Sequence, residues 1–433
     1  MNERTIVALS TPVGMGAISI VRLSGENSAR YLNALFAPFG GKEMLPNMLN
    51  LGVINADGAR DKVMAVVFRA PKSYTGEDMA EVHCHGSPEI ARRIVRAFIA
   101  LGAYPAEPGE FTKRAFLGGK LSLDEAEAVG DLISAQSVSQ INSAFEAMQG
   151  SLCGEITAIY NDVLSVVGAF EAAIDYPEED VEEITASEAQ STLESARDRL
   201  KKLADSYGEG EKLRGGVRVA IVGVPNAGKS SLLNKLLGRD RAIVTANAGT
   251  TRDTIEESYE YGGMLFTLVD TAGMRETSDE AEREGVLRSE AAARNAHIVL
   301  RVTDLSNPTK LDVETAGKII DVYNKTDLVS SKLDGLCISA KSGEGIEALK
   351  QAVFDASVTA HTDGVVITNA RHYSLVLSAL GELNNALGEL GLVSADCVLV
   401  SLKNALFFLG NITGASATDD VIGEIFAKFC VGK

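Results

Sequence analysis

Residues 223–230 read Gly223-Val-Pro-Asn-Ala-Gly-Lys-Ser230, and the organisation of the chain follows from them. An apolar run, residues 217–222, precedes this stretch and is typical of a buried strand, while leucines recur at helical spacing in residues 231–237. A strand, a glycine-rich loop and a helix in that order form a P-loop, because the turn aims backbone N–H groups and the positive helix end at one anion. We expect Lys229 to reach the terminal phosphates of a nucleotide and the Ser230 hydroxyl to bind Mg²⁺.

Three further motifs each follow an apolar run that predicts a strand. Asp270-Thr-Ala-Gly273 would place a carboxylate near the Mg²⁺ shell and a glycine N–H near the γ-phosphate. In Asn324-Lys-Thr-Asp327, the Asp327 carboxylate can accept hydrogen bonds from the ring N–H and the exocyclic amine of guanine, a donor pattern that adenine lacks. Ser339-Ala-Lys341 would offer backbone N–H groups to the guanine oxygen. Four motifs at four predicted strand ends therefore predict that the nucleotide is GTP.

A loop with consecutive threonines, residues 245–253, lies between the P-loop and Asp270. It suits a switch segment, in which Thr251 completes the Mg²⁺ shell when the γ-phosphate is present. We therefore expect catalytic roles for Lys229 and Thr251. The residues expected to contact GTP are Asn226, Ala227, Gly228, Lys229, Ser230, Ser231, Thr245, Ala246, Asn247, Ala248, Gly249, Thr250, Thr251, Asp270, Thr271, Ala272, Gly273, Asn324, Lys325, Asp327, Ser339, Ala340 and Lys341.

Residue 274, directly after Asp-Thr-Ala-Gly, is methionine, which cannot orient the attacking water as the glutamine of many GTPases does. The orienting group must lie elsewhere, and no arginine has an identifiable finger role. The carbonyl oxygen of the Asn226 side chain could hold a monovalent cation beside the phosphates, with backbone carbonyls of residues 245–250 completing the shell. The residues alone leave five downstream acids open as the water-orienting group: Glu276, Asp279, Glu280, Glu282 and Glu284.

The composition is that of a multidomain chain of 433 residues, 45% of them hydrophobic. No unbroken apolar run approaches the ~18 residues of a membrane span. Five scattered cysteines without paired metal spacing indicate a reduced, cytoplasmic protein. The net charge of −18 opposes RNA binding through phosphate neutralisation, so a local basic patch or a basic partner would have to hold any RNA.

The order of periodicities predicts the domains. Mixed strand and helix patterns predict an α+β domain over residues 1–118, and helical patterns return on both sides of the nucleotide module. We expect an all-α domain in two parts, 119–212 and 361–433, with an α/β P-loop GTPase (Ras-like) domain, 213–360, inserted into it. Glycines in residues 207–216 predict a linker at the first junction.

The whole chain resembles the bacterial family of tRNA-modification GTPases MnmE (TrmE). The resemblance rests on the P-loop, the Ala-Gly-Thr-Thr-Arg-Asp switch and Asp-Thr-Ala-Gly. It also rests on four stretches outside that module: Tyr74-Thr-Gly-Glu-Asp, His85-Gly86, Pro108-Gly-Glu-Phe-Thr and the terminal Phe429-Cys-Val-Gly-Lys433. The terminal stretch is specific, because related GTPases lack it.

The resemblance implies a potassium-activated GTPase whose G domains pair across a homodimer. It implies that Glu282 positions the catalytic water, and that K⁺ replaces an arginine finger, held by Asn226, Thr245, Asn247 and Thr250. It also implies a 5-formyl- or methylene-tetrahydrofolate bound by the N-terminal domain. The implied folate-contacting residues are Arg22, Glu81, Lys120 and Lys433.

The implied reaction forms a carboxymethylaminomethyl or aminomethyl group at carbon 5 of the wobble uridine (U34) of tRNA. The flavin-dependent partner MnmG (GidA) takes part, and the folate supplies the one-carbon unit. The role of Cys430 stays open, and residues 304–319 are shorter than in relatives that carry a longer insert there.

Two other functions stay open at this stage. One is a GTP-dependent ribosome or RNA assembly or scaffold factor, in which the N-terminal domain docks without a ligand. The other, a stand-alone methyltransferase with a regulatory G domain, is weaker because nothing in the sequence resembles a second cofactor site. Folate binding would distinguish the first from the modification enzyme.

Overall fold

The structure, a computed structural model of the chain, describes residues 4–41, 43–175, 186–238, 257–269, 291–329, 335–358 and 364–433. The chain forms two compact units, Met1–Gly130 with Leu409–Lys433, and Asp131–Phe408. The predicted fold class is confirmed, since an α+β domain, helices and an inserted α/β module are all present. Residues 119–130 and 409–433 belong to the first unit, whereas the sequence assigned them to the helical domain; the four-part division stays a prediction.

The first unit is built around a seven-stranded sheet. Its strands are β1 (Ile6–Leu9), β2 (Ile18–Ser24), β3 (Phe36–Pro38), β4 (Asn50–Ala56), β5 (Ala59–Phe68), β6 (Met79–His85) and β7 (Tyr104–Pro105). Its first helices are α1 (Ser28–Leu35), α2 (Pro88–Ala100) and α3 (Glu110–Leu117). The strand order is β3-β4-β5-β6-β2-β1-β7, and neighbours are antiparallel except β1 and β7.

The core of this unit lies between one sheet face and the helices α1 and α2. Leu32 of α1 and Phe98 of α2 are fully buried with Val21 and Val82 from the sheet. The mixture of strands and helices predicted for this domain is confirmed. Strands β4 and β5 form a hairpin, whose turn residues Asp57 and Gly58 have φ of 45° and 78°.

The C-terminal tail belongs to the same unit and packs on its N-terminal half. Val431 forms an antiparallel bridge with Pro108, and the amide of Phe111 donates to the Lys433 carbonyl at 3.2 Å. Gly432 has φ of 94°, and a Cβ there would lie 2.3 Å from the Leu9 carbonyl oxygen. A glycine is therefore required at the point where the tail turns against β1, which fixes the position of the last residue.

Helices dominate the chain on both sides of the nucleotide module. They are α4 (Leu123–Ser134), α5 (Val138–Met148), α6 (Ser151–Asp175) and α7 (Ala186–Gly215) before it, and α10 (Ala370–Glu389), α11 (Ala395–Thr413) and α12 (Asp419–Phe426) after it. Arg199 of α7 pairs with Glu155 and Asp162 of α6 at 2.8 and 2.9 Å. Tyr207 of α7 stacks on Tyr373 of α10 with ring centroids 4.2 Å apart. Helices α6 and α7, before the module, and α10, after it, thus pack together within the second unit.

The linker predicted over residues 207–216 is wrong, because α7 runs through it to Gly215. Gly210 serves packing rather than flexibility: a Cβ there would lie 2.0 Å from the Ile367 carbonyl oxygen. Arg214, in the last turn, forms an ion pair with Asp131 at 2.8 Å. Tertiary contacts of this kind outweigh the low helix propensity of glycine.

The nucleotide module contains a six-stranded sheet with the order β13-β12-β11-β8-β10-β9. Its strands are β8 (Val217–Val222), β9 (Glu257–Tyr261), β10 (Met264–Val269), β11 (Ile298–Asp304), β12 (Lys318–Asn324) and β13 (Leu336–Cys337), and its helices are α8 (Lys229–Leu237) and α9 (Ile346–Ser357). All neighbours are parallel except β9 and β10. The carboxyl ends of β8, β12 and β13 therefore meet at one edge, where an open parallel sheet binds its ligand.

Among the residues that the structure describes, two helices have the length and composition of a membrane span. They are α6 and α11, with mean hydropathy of 1.2 and 1.3 over 18-residue windows, of which 28% and 56% are buried. A count of unbroken apolar runs misses both, because such windows tolerate a few charged residues. Long core helices of soluble proteins meet the same criteria, so the two helices are weak support for a membrane location.

Candidate functional site

The P-loop turn depends on two glycines with no room for a side chain. A Cβ at Gly223 would lie 2.4 Å from the Val302 carbonyl oxygen of β11. Gly228, the residue before α8, has φ of 93°, and a Cβ there would lie 2.2 Å from the Asn324 side-chain nitrogen. Strand β8 and helix α8 therefore meet at a turn whose backbone can approach a ligand closely.

Lys229 begins α8 and folds back over the turn. Its Nζ donates to the carbonyl oxygens of Gly223 at 2.8 Å and Val224 at 3.1 Å. Both acceptors are neutral, so a phosphate group placed at the helix N-terminus would attract the ammonium more strongly than they do. This geometry fits the predicted role of Lys229 in binding the terminal phosphates.

Asn324 joins the P-loop to the guanine-recognition motifs. The side chain is buried, its Nδ2 donates to the Ala227 carbonyl at 2.8 Å, and its Oδ1 accepts from the Ala340 amide at 3.0 Å. One amide group thus connects three segments that are remote in sequence, and it holds the phosphate end and the base end of the pocket in one geometry.

The base end of the pocket contains the carboxylate of Asp327. Its Oδ1 accepts from the Ser339 hydroxyl at 2.7 Å, which orients the carboxylate. The amide of Ser339 donates to the Glu344 carbonyl at 2.9 Å, and that of Ala340 donates to Asn324. A guanine oxygen would therefore have to compete with Asn324 for the Ala340 amide, a detail that the sequence motif could not show.

These groups line one pocket of about 700 Å³. Seven of the residues predicted to bind GTP lie in its wall: Gly228, Ser231, Asn324, Lys325, Asp327, Ala340 and Lys341. The structure adds four wall residues that motif reading missed, because they stand on α8 or beside a motif rather than in one: Asn234, Lys235, Gly238 and Leu328. The volume and the mixture of polar and apolar groups are typical of a small-molecule site.

Many predicted switch and metal residues lie outside the described part of the chain. They are Thr245, Ala246, Asn247, Ala248, Gly249, Thr250, Thr251, Asp270, Thr271, Ala272, Gly273, Met274 and Glu282. Of the predicted metal ligands, Ser230 and Asn226 are described: Ser230 stands in the first turn of α8, and Asn226 is exposed in the loop with φ of 63°. Both are oxygen donors at the phosphate end of the pocket, so their chemistry fits Mg²⁺ and K⁺ respectively.

A second polar cluster lies on the sheet of the first unit. Arg22 of β2 and Glu81 of β6 are cross-strand partners, and Arg22 Nε donates to Glu81 Oε1 at 2.9 Å. The other oxygen of Glu81 lies 3.2 Å from His83 Nε2. Burial raises the pKa of Glu81, but the hydrogen bond with His83 and the charge of Arg22 outweigh it and hold the pKa below its ordinary value.

The terminal lysine lies within electrostatic range of the same cluster. Burial, followed by the positive charge of Arg22, lowers the pKa of Lys433, while the charge of Glu81 acts in the opposite direction. Three of the four residues that the family resemblance pointed to are thus brought together: Arg22, Glu81 and Lys433. The fourth, Lys120, donates to the Pro71 carbonyl at 3.3 Å.

Aromatic rings border the cluster, and sequence reasoning did not assign them to a site. The Arg22 guanidinium lies 5.5 Å from the ring centre of Tyr74 and 5.7 Å from that of Phe111. Tyr74 and Phe111 belong to two of the N-terminal motifs on which the family resemblance rests. Those motifs were the signal in the sequence that could have assigned the two rings to a site. His83 had none, since a lone histidine in a strand is uninformative.

Within the described residues, no group of three or more histidine, cysteine, aspartate or glutamate side chains could hold a metal ion.

Comparison with known proteins agrees with this arrangement. The sequence profile described as "GTP-binding protein TrmE N-terminus" matches residues 5–120, and the one described as "MnmE helical domain" matches residues 123–430. A curated tRNA modification GTPase MnmE from Akkermansia muciniphila is 40% identical over 446 residues, covering 100% of this chain and 99% of its own length. The one from Christiangramia forsetii is 38% identical over 471 residues, covering 99% of both chains.

Among solved structures, the G domain of the T. maritima FeoB iron transporter is 25% identical and covers 33% of this chain, but its TM-score of 0.22 is too low to support any conclusion. The two profiles and the full-length relatives suffice: this chain belongs to the MnmE family of tRNA modification GTPases.

Proposed function

We propose that this chain is a K⁺-dependent GTPase that installs an aminomethyl or carboxymethylaminomethyl group at C5 of U34 in tRNA, together with a flavoprotein partner and a tetrahydrofolate one-carbon donor. The observation that carries the folate part is the position of Lys433, which is half-buried within electrostatic range of Arg22 and Glu81, at the end of a tail that packs against β1. A docking module without a ligand gives no reason to bury a lysine beside an arginine, so this cluster favours the enzyme over an assembly factor.

The GTPase part of the proposal rests on the different roles that groups at the nucleotide site would have. The α8 N-terminus and Lys229 would neutralise the phosphates, and Asp327 would accept from the guanine edge. Ser230 would hold Mg²⁺, which supplies charge neutralisation at the phosphates when bound. Thr251 and Glu282, which lie outside the described residues, are proposed for the Mg²⁺ shell and for positioning the water.

Potassium is the proposed substitute for an arginine finger. Of its proposed ligands, Asn226 is the one that lies in the described part of the chain. The test is the steady-state GTP hydrolysis rate in KCl and in NaCl at matched ionic strength, for the wild type and for Asn226→Ala. The proposal requires strong stimulation by K⁺ that disappears in the variant. Equal rates of the wild type in the two salts would contradict it.

The side chains of the second polar cluster match the chemical groups of a tetrahydrofolate. The ligand has a flat pterin ring with N–H donors and a tail that ends in carboxylates. Glu81 would accept from the ring, and the cations Arg22 and Lys433 would face anionic groups. The aromatic rings of Tyr74 and Phe111 offer apolar surfaces beside them. The folate supplies the one-carbon unit, and these residues bind and orient it.

Calorimetric titration with 5-formyltetrahydrofolate tests this site directly. Lys433→Met should weaken binding by about tenfold or more, because it removes a charged hydrogen-bond donor. Lys428→Met is the matched control, since Lys428 lies in the same tail with a highly exposed side chain paired to Glu424. Wild-type affinity in Lys433→Met would exclude Lys433 from the site.

The remaining parts of the proposal concern partners and place. The family implies a homodimer that associates with the flavoprotein MnmG, and the net charge of −18 favours a partner that supplies much of the grip on tRNA. None of the five cysteines forms a disulfide bond, and we place the protein in the cytoplasm.

A further inference from the structure

Asp304 ends β11 directly beside Asn324, its register partner at the end of β12. Its Oδ2 accepts from Lys325 Nζ at 2.5 Å. Its Oδ1 accepts from both the backbone amide and the hydroxyl of Ser306, at 2.8 and 2.6 Å. Asp304 is 9% exposed, so the carboxylate is fixed from two sides behind the pocket wall to which Lys325 contributes.

The ionised form of this carboxylate is the stable one. Burial opposes ionisation, but the hydrogen bonds from Lys325 and Ser306 outweigh it and hold the pKa of Asp304 below its ordinary value. A short, partly buried contact between an ammonium and a carboxylate is much stronger than one to a neutral carbonyl. Lys325 is therefore held firmly on Asp304.

The sequence Asn-Lys-Thr-Asp creates a difficulty that this contact resolves. It puts a cation, Lys325, two residues before Asp327, and both side chains line the same pocket. If the ammonium paired with Asp327, it would occupy the carboxylate that has to accept from the guanine edge. Lys325 has φ of 70°, and its ammonium is directed to Asp304 instead.

We propose that Asp304 is a positioning residue for base specificity: it binds the Lys325 ammonium and so leaves the Asp327 carboxylate available to guanine. This role goes beyond the proposed tRNA chemistry and applies to nucleotide recognition alone. It also explains why the carboxylate is buried behind the lysine, where it cannot touch the base.

Titrations with GDP and IDP test the proposal, because hypoxanthine keeps the ring N–H of guanine but lacks the exocyclic amine. In Asp304→Asn, affinity for GDP should fall by about tenfold or more, and affinity for IDP should fall less, so that the preference for GDP shrinks. The double variant Asp304→Asn with Lys325→Met removes the misplaced cation and should restore the preference for GDP.

The controls separate this role from a structural one. Asp321→Asn breaks a comparable ion pair on the same two strands, Arg301 with Asp321 at 2.6 Å, and Asp321 is not in the pocket wall. It should leave the GDP and IDP affinities unchanged. Equal losses for GDP and IDP in Asp304→Asn, no loss for either, or no rescue by Lys325→Met would overturn the proposal.

Discussion

The side-chain amide of Asn324 donates a hydrogen bond to the Ala227 carbonyl at 2.8 Å, across 97 residues of sequence. With the Ala340 amide as its second partner, Asn324 makes the P-loop and the base-recognition loop one rigid site. Affinity for the nucleotide should therefore depend on the hydrogen bonds that Asn324 makes to other parts of the protein.

Replacing Asn324 by alanine tests this dependence. The change leaves buried partners on two segments unpaired, at a cost of about 1–3 kcal/mol for each buried group. We expect a lower unfolding temperature and, by fluorescent nucleotide titration, GDP affinity weaker by about tenfold or more. The exposed Asn307→Ala is the control and should behave as wild type. Unchanged GDP affinity in Asn324→Ala would show that the site does not need this connection.

Gly228→Ala should abolish nucleotide binding, because the new Cβ would lie 2.2 Å from the Asn324 side-chain nitrogen in a backbone with φ of 93°. Gly263→Ala separates the steric collision from the backbone strain, since φ at this residue is 81° but the nearest atom to the new Cβ would be 3.7 Å away. That control should lose only about 1–2 kcal/mol of stability and keep its GDP affinity. Similar titration curves for both variants would refute the collision argument.

Alanine substitutions at two glycines of the predicted linker should have opposite effects on stability. Gly208→Ala meets nothing within 4 Å and should stabilise α7 by up to about 1 kcal/mol, whereas Gly210→Ala would place its Cβ 2.0 Å from the Ile367 carbonyl oxygen and should destabilise the bundle. Thermal unfolding of the two variants measures the difference. A flexible linker would make both changes nearly neutral.

His297 makes stability depend on pH. Burial, followed by the charge of Arg218, lowers its pKa from 6.5 to about 4. The ring Nδ1 accepts from the Arg218 amide at 3.0 Å, which requires the neutral form. Below pH 6.5 the unfolded chain takes up a proton that the folded chain refuses until about pH 4, so stability falls as the pH drops through this window.

The measurement is the unfolding temperature between pH 7 and about pH 4 for the wild type and His297→Asn. Asparagine keeps an acceptor but cannot titrate, so the variant should lose less stability over this range. Parallel curves for the two proteins would contradict the assignment.

The sequence was sufficient to predict the fold where the local residue pattern determines the structure. The strand ends of the nucleotide module and the P-loop have the predicted positions, because apolar runs and turn residues decide them locally. It failed at residues 207–216, where α7 continues and Gly210 packs against Ile367, a residue remote in sequence. Local propensity contains no information about the Ile367 carbonyl.

The candidate sites show the same limit. Lys229 and Asp327 were predicted from motifs, since the chemistry of the ligand imposes those residue types. Asp304 and His83 could not be predicted in this way, because each acts through a neighbouring side chain. Asp304 contacts Lys325, which directly follows the adjacent strand, and His83 contacts Glu81 on the same strand. The position of Lys433 beside Arg22 followed from family resemblance and not from spacing.

The most direct test of the central claim is a reconstituted modification reaction, read by mass spectrometry of the nucleosides of the treated tRNA. The mixture contains this chain, its flavoprotein partner, GTP, K⁺, a tetrahydrofolate and tRNA that lacks the modification, with Lys433→Met and Lys428→Met run in parallel. We predict a C5-substituted wobble uridine that requires both GTP and folate, is lost in Lys433→Met and is retained in Lys428→Met. Unchanged uridine in the complete mixture, while GTP is hydrolysed at its full rate, would contradict the account.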